Sequence, residues 1–522
     1  MCGITVFFGD HTVANLDLYF KRGSKRGPEE YVYECNDDVH MGFHRLAING
    51  LEGGTQPLHY KQFVLVCNGE IYNYKTLIET YQLPVTSGSD CEVILHLYDR
   101  FREKCLDLLD GEFAFVIHDQ SNKEIFAARD PFGVRPLYIN EVQNAICLSS
   151  DLFPMMFNPI IDVAHYPPGH YSLFTPNYWG YEEDRVRYHH IQLVPTSHLE
   201  VYKRLVEAVE KRVQNADRPV ACLLSGGLDS SLVAALAARA YAQQGKILET
   251  YSIGLQDSED LKHSSKVAEH IGSKHTQIVC TDDEFYHSIP QVIRDIESYD
   301  TTTVRASVGN WNVAKYIKAN SEAKVVLNGD GADELMGGYL YFHACPDHAT
   351  FDQECRRLLG DIHYFDVLRS DKSIAAHGLE ARTPYLDKAF VDAYLSLPVA
   401  ERFTPGRMEK SVIRNIIATL DPDLLPRDIL FRRKEAFSDG VSGLSTPWYK
   451  TIQSRVESMD SSVHSNLHSS SKPTPEQKYY RFLFETYYKG CGQLVPYFWM
   501  PKFVEATDAS ARTLAMYHSA EV

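Results

Sequence analysis

At 522 residues, with 44% hydrophobic and 12% aromatic content, the chain is long enough for two packed cores and too apolar to be disordered. Its 52 Lys and Arg against 69 Asp and Glu leave a net charge of −17, which repels a phosphate backbone and excludes a dedicated nucleic-acid binder. The eleven cysteines form no CxxC pair and no run of about eighteen apolar residues occurs, so a disulfide framework, a zinc site and a membrane span are excluded and a reducing, cytoplasmic compartment is expected.

The chain opens Met1-Cys2-Gly3-Ile4. Methionine before so small a residue is commonly removed, which would set the Cys2 thiol beside its own α-amino group, whose reference pKa near 8 suits a general base. A cysteine merely packed near the terminus is the plainer alternative. Short apolar runs follow: ITVFFG, FVLVCNGEIY, EFAFVIHD, KEIFAAR and AICLSS, separated by Gly, Asn, Asp and Pro. They predict an antiparallel α+β domain over residues 2–185, with one helix from Asp90 to about Lys104 burying Val93, Leu95, Leu97 and Phe101. From Asp184 to Ser197 the sequence is polar and without period, so residues 186–198 are taken as a linker; the His189-His190 pair there reads as solvated or locally packed, since nothing nearby completes a metal site.

Residues 199–522 change pattern. PVACLLS, ILETYSIGL and KVVLNG alternate with helical stretches, Leu228–Gln243 and Asp260–Ile271, the latter closed by Gly272. This is the arithmetic of an α/β doubly wound parallel sheet. From about Asp361 the chain reads as mostly helical, and Asp460–Pro475, rich in Ser, His and Pro, as a surface loop.

LLSGGLDSS, Leu223–Ser231, sits where a strand meets a helix. Gly226 and Gly227 let the backbone approach a phosphate, Ser225, Ser230 and Ser231 add hydroxyls, and the helix amino terminus favours an anion. Asp229 would repel phosphate unless a Mg²⁺ bridges them. A second acidic glycine turn, NGDGADELMGGY from Asn328, ends another predicted strand; if the two strand ends converge, Asp333 is a second metal candidate, the alternative being an acidic solvent loop. Neither GKS nor GxGxxG is present, so this is no Walker loop and no dinucleotide fingerprint.

HRLAING from His44, CNGEIYN from Cys67 and TSGSDCE from Thr86 resemble class II glutamine amidotransferases, and SGGLDSS resembles the pyrophosphate loop of ATP pyrophosphatases. Together with YDTTTVRAS, HGLEARTPYLDK, RMEKSVIR, RRKEAFSDGV and YFWMPKFVEATDASARTL, the chain is similar to the glutamine-hydrolysing asparagine synthetase family from Cys2 nearly to its end. The resemblance implies an amino-terminal-nucleophile αββα sandwich followed by the synthetase sheet and a helical carboxy-terminal part. It implies glutamine, aspartate and ATP as substrates, Mg²⁺ as cofactor, no nucleic-acid or membrane partner, and leaves a homodimer open. By that match Cys2 attacks glutamine and Asn68 and Gly69 form the oxyanion hole. Arg45 holds the α-carboxylate with Leu46, Ala47, Ile48 and Asn49 beside it, and Glu70 and Asp90 receive the α-ammonium. Leu223, Ile253, Asn328 and Gly329 contact nucleotide, Lys410 lies near pyrophosphate, and Thr302, Thr303 and Arg305 grip aspartate, an ion-paired structural arginine being the rival for the last.

Two departures stand out. Lys25-Arg26-Gly27-Pro28-Glu29 replaces the family's His-Arg-Gly-Pro-Asp, and Gly329-Asp330-Gly331 replaces Gly-Glu-Gly, moving a candidate catalytic carboxylate back by one methylene. The rivals are a β-lactam synthetase-like cyclase, opposed by Cys2, Asn68 and Asp90; a sugar or nucleotide amidotransferase, opposed by Ser225–Ser231; and an inactive regulatory homologue, disfavoured by the intact Cys2 and Asp229.

Overall fold

The computed structural model describes all residues except 11–12, 143, 158–161, 179, 436, 443–446, 459–472 and 518–522. Most of the expected Asp460–Pro475 loop therefore lies outside the described residues; its end belongs to a helix, since Thr474 caps Pro475–Tyr487 with a capping box.

The first unit is two stacked six-stranded antiparallel sheets. One runs in the order Val163–His165, Tyr138–Val142, Asn144–Ser149, Gly3–Asp10, Val39–Arg45, Glu30–Asn36; the other runs Gly180–Arg187, His170–Asn177, Glu124–Arg129, Gly111–Asp119, Phe63–Ile71, Leu58–Tyr60. Alternation puts Ile4, Val6, Phe8, Val64, Val66, Ala114 and Val116 in the layer between the sheets. The helices Tyr74–Tyr81 and Glu92–Phe101 cover the second sheet, and Leu16–Phe20 with part of the second unit covers the first. This is the expected αββα sandwich. The predicted helix after Asp90 is shorter than expected and passes into a 3₁₀ turn at Arg102–Asp107, and it is buried on every side from Glu92 to Tyr98. The last strand of this unit also runs to Arg187, two residues beyond 185: Asp184–Arg187 look like linker because three of the four residues are charged, yet they pair with His170–Leu173.

The second unit begins at the helix His198–Gln214, capped by Ser197. Its sheet has five parallel strands, β1 (Val220–Leu223), β2 (Glu249–Leu255), β3 (Lys274–Cys280), β4 (Val325–Leu327) and β5 (Glu380–Arg382), in the order β3-β2-β1-β4-β5. The chain winds outward from β1 in one direction and resumes on its other side with β4. That reversal opens a crevice at the carboxyl ends of β1 and β4, where open α/β sheets bind ligands. The chain after Asp361 is mostly helical, as expected, with β5 as an addition: it is only three residues long and carries two buried charges, so no apolar run announces it. Among the described residues no helix is long and apolar enough to cross a membrane.

The two units meet through buried ion pairs. Glu112 of the first takes Arg212 at 2.9 Å as well as its own unit's Arg135 at 3.0 Å. Arg26 reaches Asp371 at 2.8 Å, and Lys372 reaches Asp151 at 2.6 Å. The side chains of Leu46 and Ile48 enter the large core of the second unit.

Candidate active site

In the first unit the strand Gly3–Asp10 pairs with Val39–Arg45, so Cys2 lies just before Gly3, which sits opposite His44. The Cys2 Sγ is 3.6 Å from the Leu46 carbonyl. With the Asn68 amide turned so that both its ends are satisfied, Nδ2 donates to the Cys2 carbonyl at 2.9 Å and Oδ1 accepts from Arg26 Nη2 at 3.2 Å. Arg26 Nε donates to the same carbonyl at 2.9 Å. While Met1 is attached, burial pushes the thiol up to about 12 and brings the methionine amine down to about 6.

Arg45 is fixed by the carbonyls of Gly50 and Leu51 at 2.8 and 3.1 Å and by Thr55 Oγ1 at 3.2 Å. Asn49 Nδ2 donates to Glu70 Oε2 at 2.6 Å, and Ile71 N donates to Asp90 Oδ2 at 2.7 Å. The turn before Asp90 is tied by Glu92, whose carboxylate accepts from the backbone N–H groups of Thr86 and Ser87. Leu46, Ala47 and Ile48, expected to line a substrate, follow Arg45 directly. Leu46 and Ile48 turn their side chains to the interdomain core, while Ala47 N donates to Glu29 Oε2 at 2.7 Å and its carbonyl accepts from Arg218 at 3.1 Å. The substituted turn is thereby accommodated: Glu29 holds the Ala47 loop and Lys25 pairs with Asp295 of the second unit at 2.6 Å. The His189-His190 pair gathers no metal cage among the described residues; His189 is buried edge-on against Phe132.

In the second unit a cleft of about 1280 Å³ opens at the β1 and β4 ends. Leu223, Ser225, Gly227, Asp229, Ser230, Ile253, Thr302, Asn328, Gly329, Asp330, Asp333 and Lys410 line it. Gly226 lies behind them with φ +74°, where a β-carbon would come within 2.5 Å of the His263 and Ser264 backbone; no other residue fits that turn. Ser225 and Ser230 hydroxyls bond each other at 3.0 Å and brace the loop at the start of Leu228–Ala242. Lys410 pairs with Asp229 at 2.5 Å and Asp333 at 2.6 Å, and Lys434 with Asp333 at 2.5 Å and Asp229 at 3.7 Å. Although burial raises it, these two lysines hold Asp333 well below the ordinary carboxylate range. Asp330 is raised by burial, opposed by Arg369 at 2.8 Å and seconded by Asp366.

Arg305 and Thr303 do not belong to this cleft. Arg305 is clamped bidentately by Glu476 at 2.6 and 2.9 Å and by Asp508 at 2.7 and 2.9 Å, and the Thr303 hydroxyl donates to Asp300 within its own helix cap at 2.8 Å. The guanidinium that was expected to grip a carboxylate ligand fastens the carboxy-terminal segment instead.

Comparison with known proteins agrees with this architecture. The asparagine synthase family matches residues 200–349 and 344–490, and the glutamine amidotransferase domain family matches residues 1–212. The chain is 38% identical over 561 residues to asparagine synthetase [glutamine-hydrolyzing] of Homo sapiens, covering 100% of both chains, and 39% identical over 560 residues to that of Rattus norvegicus, covering 99% of both. The chain belongs to the asparagine synthase family.

As an asparagine synthase family member it carries cleft residues that the sequence reading left unassigned: Lys434, Arg432, Asp260, Asp366 and Arg369. Lys434 lies in RRKEAFSDGV, a stretch quoted for its resemblance, but spacing alone does not say which of its three consecutive cations reaches Asp333. Asp260 opens a helix and is raised to about 7 by burial, with Arg432 at 3.3 Å opposing. Arg305→Met leaves Glu476 and Asp508 as buried unpaired charges, so it is expected to cost about 3–5 kcal/mol of stability, read by urea unfolding, without raising the KM for any ligand of the cleft.

Proposed function

We propose that the protein makes asparagine from aspartate, with glutamine as nitrogen donor and ATP cleaved to AMP and pyrophosphate. The observation that carries this reading is the pairing of an amino-terminal cysteine whose carbonyl is held by Asn68 and Arg26 with a serine- and glycine-lined cleft at the sheet's switch point, in one chain of the asparagine synthase family.

After loss of Met1, Cys2 attacks the carboxamide carbon of glutamine. Asn68 and the Gly69 N–H receive the oxyanion, the carbon–nitrogen bond breaks to release ammonia, and water hydrolyses the thioester to glutamate. Arg45 takes the α-carboxylate with Asn49 beside it, and Glu70 and Asp90 take the α-ammonium. In the cleft the aspartate β-carboxylate attacks the α-phosphorus and pyrophosphate leaves. Ser225, Gly226, Gly227 and Ser230 cradle the phosphates, Leu223, Ile253, Asn328 and Gly329 frame the nucleotide, Thr302 faces aspartate, and Lys410 and Lys434 face the leaving group. Ammonia then attacks the acyl carbon, AMP departs, and Asp330 takes the surplus proton.

Asp229 and Asp333 fit Mg²⁺: both are carboxylates on the cleft wall, and Asp229 Oδ1 is buried without a hydrogen-bond partner among the described residues. When bound there, the ion would offset the charge of the phosphates. A cytoplasmic location belongs to the same reading, since all eleven cysteines are unpaired and one must stay reduced to react.

Purified protein given glutamine, aspartate and ATP should yield asparagine, glutamate, AMP and pyrophosphate in equal amounts. Formation of ADP, or glutamate without asparagine, would defeat the proposal. Burial raises Asp330, so a base at that position loses activity on acidification earlier than an ordinary carboxylate would. Asp330→Asn should cut turnover with ammonium salt by about 10²–10⁴-fold and leave ATP binding intact.

A further inference from the structure

Glu70 is 4% exposed and lies on the first unit's strand Phe63–Ile71. Its Oε2 meets Asn49 Nδ2 at 2.6 Å and, across the domain interface, Arg382 Nη2 at 3.2 Å. Both contacts fall on Oε2, which leaves Oε1 for a ligand. Arg382 is on β5 and fully buried. Its Nε donates to Glu380 at 2.8 Å and its Nη1 to the carbonyls of Arg212 and Asn215 at 2.6 and 2.8 Å, so the guanidinium plane is fixed from three sides. The Arg382 carbonyl accepts from Asn328 N at 3.2 Å, so the strand that serves Glu70 also frames the loop at the end of β4.

We propose that Arg382 is a positioning residue for glutamine use: the second unit supplies the cation that keeps Glu70 aimed and ionised, and the glutamine pocket is complete only when the units are joined. This rests on the reading of Glu70 as acceptor of the glutamine α-ammonium. The charged and titratable groups around Glu70 are Asp90, Glu380, Arg382, Arg135, Cys2, Cys91 and Tyr74. Burial, then Asp90 and Glu380, push the Glu70 carboxyl well above its ordinary range, and Arg382 followed by Arg135 opposes them. An ammonium ligand needs the ionised carboxylate, so binding weakens as pH falls through the Glu70 pKa. Loss of Arg382 raises that pKa further, which moves the weakening to higher pH.

On the full-length protein, KM for glutamine is followed against pH by glutamate release in wild type, Arg382→Lys, Arg382→Met, Glu70→Gln and the Glu70→Gln/Arg382→Met double variant, with thermal melting reporting folding. Arg382→Met should shift the acid limb of KM upward by about one to three pH units and raise KM at neutral pH about tenfold, with a smaller change in kcat. Arg382→Lys should fall between it and wild type, and the double variant should bind glutamine no worse than Glu70→Gln alone. An acid limb unmoved in folded Arg382→Met, or an additive loss in the double variant, overturns the proposal. If Arg382→Met does not fold, Arg382→Lys decides, and an unmoved limb there overturns it equally. A wild type that releases no glutamate refutes the glutaminase reading itself, a separate outcome.

Discussion

Cys2→Ala is expected to abolish asparagine formation from glutamine, by about 10³-fold or more, while formation from ammonium salt continues at the wild-type rate. The thiol belongs to one unit and the ATP cleft to the other, so each half-reaction has its own protein groups. The same assay also tests processing at the terminus. With Met1 attached, burial pushes the thiol up to about 12, far above pH 7.5, so it stays protonated, and the neighbouring nitrogen is an amide with no basicity. Freed of methionine, Cys2 gains an α-amine near 8 to take its proton. Protein whose methionine is retained should therefore behave like Cys2→Ala. Transfer of labelled amide nitrogen from glutamine into asparagine measures both, and equal loss of the two nitrogen sources would defeat the division of labour.

Asp229→Asn is expected to lower aspartate-dependent pyrophosphate release by about 10²-fold or more while glutamate release from glutamine persists. Asp229, Lys410, Asp333 and Lys434 form an alternating square of charge in which each lysine already contacts a carboxylate. When a triphosphate arrives the lysines can turn to its oxygens, and the two carboxylates are then left for a divalent cation. Asparagine at this position keeps the shape and removes the charge that a hard cation needs. Pyrophosphate release within tenfold of wild type would exclude Asp229 from the site, and loss of both activities would signal a damaged fold.

The parts of the molecule written in local chemistry were legible from the sequence. SGGLDSS and NGDGADE each end a short apolar run, and a parallel sheet that reverses direction between those runs brings the two turns together. What escaped depends on partners far along the chain. Arg305 reads as a ligand for a small carboxylate because TTTVRAS alone says nothing of Glu476, 171 residues on, or Asp508, 203 residues on. β5 escaped because Glu-Ala-Arg is not an apolar run: its charges are neutralised from outside, Arg382 by Glu70 and Glu380 by Arg135. Leu46 and Ile48 sit in a motif that suggests substrate contact, but their apolar side chains find more area to bury against the second unit, so any contact with glutamine there falls to the main chain.

The pairing of Glu112 with Arg212, of Arg26 with Asp371 and of Lys372 with Asp151 also bears on how the chain can be divided. Separating the halves after a cut within 188–197 would break these pairs and expose to water the apolar contacts that the joined units bury, Leu46 and Ile48 among them. Neither half is then expected to persist alone as a soluble catalyst, and a chimera joining one half to a relative's other half would succeed only if the opposing charges travelled with it.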